Sequence, residues 1–118
     1  MTSRRWHISR DGDALTLARR RGARLDVSVM TTLPDAGRLR VAQQVRQDMW
    51  RALQDLRGFS PVVQVRRDAG MLHVTAGGEV AGRYVRDKVE AAIRDVLESP
   101  ARRARWVAHA RHKEVQNG

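Results

Sequence analysis

At 118 residues, with 42% apolar content and no cysteine, the chain has room for one domain and one aliphatic core, and it excludes disulfides, thiolate catalysis and cysteine-ligated zinc. Its 23 basic residues outnumber 13 acidic ones for a net charge of +10, which points to an anionic partner. The excess sits at the two ends: seven arginines face only Asp11 and Asp13 in residues 1–24, and Arg102, Arg103, Arg105, Arg111 and Lys113 face only Glu114 in residues 100–118.

The spacing predicts a strand over Trp6–Arg10, a tight turn at Asp11-Gly12-Asp13 and a second strand over Ala14–Arg19. Leu15 and Leu17 alternate with Thr16 and Ala18, as a half-buried strand requires. Arg19-Arg20-Arg21-Gly22 makes a basic turn. Leu25, Val27, Val29 and Thr31 then alternate with polar neighbours in a third strand. These strands are expected to form a three-stranded meander.

A helix is expected from about Ala36 to Arg57, capped by Thr32 or Asp35. Its apolar stripe is Leu39, Ala42, Val45, Met49, Ala52, Leu53 and Leu56, with Gly58 as terminator. Asp48, Asp55 and the row Arg40, Gln43, Gln47, Arg51 and Gln54 fall on the solvated side, and Trp50 borders the core. Val62–Arg67 and Met71–Ala76 read as a hairpin turned at Asp68-Ala69-Gly70, with one of Arg66 and Arg67 facing away from the helices. Gly77-Gly78 breaks the strand pattern, and a second helix is expected over Val80–Glu98 with Ala81, Val85, Val89, Ala92, Ile93 and Val96 inward. Ser99-Pro100 caps a third, basic helix over residues 100–113, followed by a frayed tail at 115–118.

The order βββ-α-ββ-α-α predicts a single α+β domain, a two-layer sandwich of a mostly antiparallel sheet with helices packed on one face. In architecture alone, its β-α-β-β-α unit resembles part of a ferredoxin-like split sheet, extended by the first two strands. With no apolar run at Met1–Trp6 and no stretch near the ~20 apolar residues of a membrane span, the expected setting is cytoplasmic.

Two clusters are candidate nucleic-acid contacts. Arg4, Arg5, Arg19, Arg20 and Arg21 gather at one end of the N-terminal hairpin. On the third helix Arg102, Arg105, His109, His112 and Lys113 share one side, opposite Ala101, Ala104, Val107 and Ala108. Trp106 lies at the border, placed either to stack on a base or to anchor the helix. Arginine suits phosphate contacts, and nothing in the pattern suggests base-specific readout. The reading is therefore a small non-enzymatic module that binds DNA or RNA through phosphates. The alternative is an accessory subunit that binds an acidic protein or forms a homo-oligomer through an open sheet edge. A membrane partner is not expected, because the apolar face of the third helix is mostly alanine. Catalytic residues, cofactors and metals are not expected either: the four histidines join no nucleophile pattern, and His109 with His112 lacks a third ligand.

Overall fold

A computed structural model describes the backbone of residues 6–117 and the side chains of residues 6–111. The Asp-Gly turn folds β1 (His7–Asp11) back onto β2 (Ala14–Ala18), with Gly12 in the left-handed conformation at φ +61°. β3 (Val27–Pro34) leads into α1 (Arg38–Ala52), which returns the chain to β4 (Phe59–Asp68). β5 (Met71–Val80), α2 (Arg86–Leu97) and α3 (Pro100–Asn117) complete the order.

The described residues form one five-stranded sheet in the order β1-β2-β4-β5-β3. Every neighbouring pair is antiparallel. Because β3 and β4 both run against β5, they run parallel to each other, and α1 makes the crossover between them. This is the split β-α-β arrangement expected from the element order, with the β1–β2 hairpin extending it beside β4. The three-stranded meander is corrected. β3 leaves the hairpin and occupies the opposite edge, paired with β5 from Val27↔Gly78 to Pro34↔Met71. Alternation in β3 decides which face is buried but carries no information about its neighbour.

The register places Leu15, Leu17, Val63, Val65, Val74, Ala76, Val29 and Leu33 on one face. All are buried against Val41, Ala42, Val45 and Met49 of α1 and Val89, Ile93, Val96 and Leu97 of α2. Strand alternation gives the other face His7, Ser9, Thr16, Gln64, Arg66, His73, Thr75 and Met30. It bears no helix. Arg67 follows Val63 and Val65 onto the helix side and Arg66 takes the other, as alternation requires.

Three element ends differ from expectation. β5 runs straight through Gly77-Gly78, because those glycines admit close backbone approach: a Cβ on Gly77 would lie 1.9 Å from the Val27 carbonyl oxygen, and one on Gly78 2.2 Å from that of Ser60. α2 consequently starts at Arg86, leaving Ala81 and Val85 exposed. α1 stops at Ala52, although Leu53 is still buried, and the chain turns at Gly58 (φ +74°) to enter β4. Its N-cap is Gly37 rather than Thr32 or Asp35. Asp35 instead accepts from Arg67 at 2.7 Å. Trp50 is 44% exposed rather than at the core margin.

The two sheet edges are treated differently. Along β3, Glu90 of α2 accepts the Ser28 N–H at 3.2 Å. Arg103 of α3 donates to Thr31 Oγ1 (2.7 Å) and the Thr32 carbonyl (2.6 Å). The Ser28 N–H and the Thr32 carbonyl held in this way are backbone groups that another strand would need. Beyond β1 no further strand pairs among the described residues.

Candidate anion-binding groove

The first basic cluster divides. Arg4 and Arg5 lie outside the described residues. Arg20 donates to Glu79 Oε2 at 2.7 Å, and the same oxygen accepts the Arg24 backbone N–H at 2.8 Å. Arg21 is exposed and lines a shallow hollow on the helix-free sheet face with His7, Thr16 and Gln64. Arg19 turns the other way, its guanidinium 5.0 Å from the Trp6 ring centre.

The second cluster is reorganised by a rotation of α3. The face that docks is Arg103, Trp106, Val107 and Ala110, not Ala101, Ala104, Val107 and Ala108. Ala101, Ala104 and Ala108 are exposed. Ser99 caps the helix as expected, its Oγ accepting the Arg102 N–H at 3.3 Å. Trp106 is fully buried, with its indole N–H donating to Asp48 Oδ2 at 2.7 Å. A ring enclosed in this way has no face to offer a base, so its place is that of the helix anchor. Asp48, expected on the solvated side of α1, is buried for the same reason, and its Oδ2 also accepts from Arg105. Arg102 is half-buried and His109 exposed. The side chain of Lys113 lies outside the described residues.

A further cationic feature lies where the β1 edge, α1 and α3 meet. Trp6, Ile8 and Leu17 form one wall of a groove; Arg40, Gln43, Gln44, Arg46 and Gln47 of α1 form its floor; His109 of α3 closes it. This part encloses about 430 Å³. A second part of about 530 Å³ continues toward the start of α1 between Arg10, Arg38, Arg40 and Arg67, and shares Arg40 and Gln43 with the first. Arg19 and His109 are thus the candidate residues from the two chain ends that the fold draws to one place, through Trp6 and Arg46.

No carboxylate lines either part among the described residues. Arg38 Nη1, Gln44 Nε2 and Arg46 Nε are buried nitrogen donors with no hydrogen-bond partner among the described residues. Each such donor costs about 1–3 kcal/mol when left unsatisfied. Arg46 sits 4.5 Å from the Trp6 ring centre. Burial, and then the like charge of Arg19, push its guanidinium below the ordinary arginine value. α1 adds no acid in its first turn and no side-chain cap at its N-terminus. The field in the groove is therefore positive and partly desolvated, with Arg67 the lining cation that a carboxylate, Asp35, already holds.

The sequence held one signal for this site: residues 38–47, Arg-Leu-Arg-Val-Ala-Gln-Gln-Val-Arg-Gln, contain three arginines and no acid. The corresponding stretch of α2 interleaves Asp87, Glu90 and Asp95 with its cations. Arg10, Arg38, Gln44 and Arg46 went unmarked because nothing local shows that a strand edge lies beside that helix.

No protein-family model matches the chain, and no curated protein or solved structure does either.

Proposed function

We propose that the protein is a small non-enzymatic module that binds nucleic acid through its phosphates, with little sequence preference. The observation that carries this reading is the pair of buried arginine donors along the groove with no hydrogen-bond partner among the described residues, Arg38 Nη1 and Arg46 Nε, with Arg10 and Arg40 beside them. Phosphate oxygens are the acceptors that guanidinium forks fit best. Each arginine that meets a phosphate also releases condensed counterions, so affinity must fall steeply with salt. Titration of a labelled oligonucleotide by fluorescence anisotropy tests it. The expected result is binding that weakens by about a thousandfold or more between ~50 and ~200 mM salt if six or more phosphates are engaged, and proportionally less for fewer. Absence of binding at the lower salt, or binding indifferent to salt, overturns the proposal.

The contrast between the sheet edges favours one second reading. β3 is covered by Glu90 and Arg103, whereas the outer edge of β1 pairs with no strand among the described residues. Self-association, if it occurs, uses β1. Light scattering at rising protein concentration reports it directly.

A further inference from the structure

We infer that the groove takes single-stranded rather than duplex nucleic acid, with the backbone on its Arg10–Arg38–Arg40 half and an unstacked base on its Trp6–Ile8–Gln44 half. The inference rests on the phosphate-binding reading above and adds the class of strand.

The two halves differ in chemistry. The half beside the start of α1 is lined mainly by arginines. In the other half an apolar wall faces a floor of three glutamines, Gln43, Gln44 and Gln47, with Arg40 and Arg46 among them. Ile8 is 40% exposed there, and Trp6 stands beside it, partly buried. A duplex presents charged phosphates on its outside and keeps its apolar base faces stacked within, so this wall would gain nothing from it. An unpaired base has a flat face for Ile8 and a carbonyl-bearing edge for hydrogen bonds, beside a Trp6 ring that carries the Arg19 and Arg46 guanidiniums. Gln44 supplies the matching donor, since its Nε2 meets no acceptor among the described residues. A volume of about 430 Å³ falls within the range of ordinary small-ligand sites, roughly 300–1,000 Å³. Because Arg40 and Gln43 belong to both halves, the backbone and the base of one nucleotide lie within reach of a continuous surface. The helix-free sheet face, by contrast, offers a hollow of about 270 Å³ in which Arg20 is already held by Glu79.

The test compares four probes at low salt: a short pyrimidine strand as DNA, the same strand as RNA, the DNA strand annealed to its complement, and a strand of equal length built of abasic sites. The abasic strand keeps every phosphate and removes every base. Wild-type protein is expected to bind the DNA or RNA single strand about tenfold more tightly than the abasic strand, the loss expected for one stacked base. It is also expected to bind the duplex more weakly than the single strand. Gln44→Leu keeps the side-chain volume, relieves a buried unpaired donor and should fold at least as well as wild type, which a thermal melt verifies. It is expected to weaken single-strand binding about threefold to tenfold while leaving abasic binding and the salt slope unchanged. Equal affinity for abasic and natural strands, or a duplex bound as tightly as the single strand, overturns the inference and leaves salt-dependent phosphate binding standing. Failure to bind any of the four overturns both.

Discussion

The arginines of this protein fall into two populations. Arg20, Arg24, Arg67, Arg103 and Arg105 are fasteners. They tie the loop after β2 to Glu79, Arg24 to Asp26, β4 to Asp35, α3 to the rim of β3, and α3 to Asp48. Arg10, Arg38, Arg40 and Arg46 are tied to no acid among the described residues, and they lie together along one groove. Net charge does not separate the two groups, and neither does position in the chain. The difference lies in whether the fold brings an acceptor to the guanidinium. Of the groove cations, Arg38, Arg40 and Arg46 come from the middle of the chain and Arg10 from its first strand, so neither end holds the site alone.

Removing an acceptor from the fastened group is the strongest way to break this contrast. Asp48→Ala strands the buried indole N–H of Trp106 and frees Arg105, and should cost about 3 kcal/mol, or about 10 °C in melting temperature. Asp48→Asn, which retains one oxygen acceptor, should recover part of that loss. An alanine variant that melts with wild type would show that Asp48 does not fasten α3. The next effect in size sharpens the contrast directly. Arg38→Gln combined with Arg40→Gln should weaken oligonucleotide binding about tenfold and flatten the log–log salt slope by about 1.4, at unchanged melting temperature. Arg20→Gln, from the fastened group, should shift affinity by no more than about twofold and stability by about 0.5 kcal/mol, because the Arg20 side of its ion pair is largely solvent-exposed. The reverse ranking would dissolve the distinction.

The smallest effect concerns pH. The Val80 N–H first, and then Arg24, hold the Asp26 carboxyl below its ordinary value of 3.8. A depressed carboxyl stabilises the folded state fully above the unfolded value and loses that contribution as pH falls through the folded one. The melting-temperature gap between wild type and Asp26→Asn should therefore be complete above that ordinary value and close below it. A gap that persists into strong acid would place the role of Asp26 elsewhere.

Much of the fold could be read from local pattern. Asp11-Gly12-Asp13 and Asp68-Ala69-Gly70 marked both hairpins, and Ser99-Pro100 marked the start of α3. Strand order could not be read, because β3 alternates identically whether it sits beside β2 or β5. Gly77-Gly78 looked like a break, since the close approach of Val27 and Ser60 that requires them is a tertiary fact. The rotation of α3 was hidden because Arg103 resembles a solvated cation until the acceptors on β3 are known. Asp48 was misplaced for the complementary reason: a carboxylate beside Met49 looks external unless one asks what a tryptophan on an alanine-rich helix donates to. For the groove, the acid-free stretch 38–47 was visible, but its meaning depends on β1 lying alongside.

The link between Asp48 and Trp106 reaches beyond stability. α3 contributes His109 to the groove, and α3 is held on α1 through that carboxylate. Loosening this tether, which Arg103 supplements only at the rim of β3, would let the closing wall drift, and on the proposed reading dissociation of a bound strand would quicken although no residue touching it had changed. Inherited or engineered variation at this concealed position would then register as altered residence time, an outcome easily mistaken for damage to the recognition surface itself.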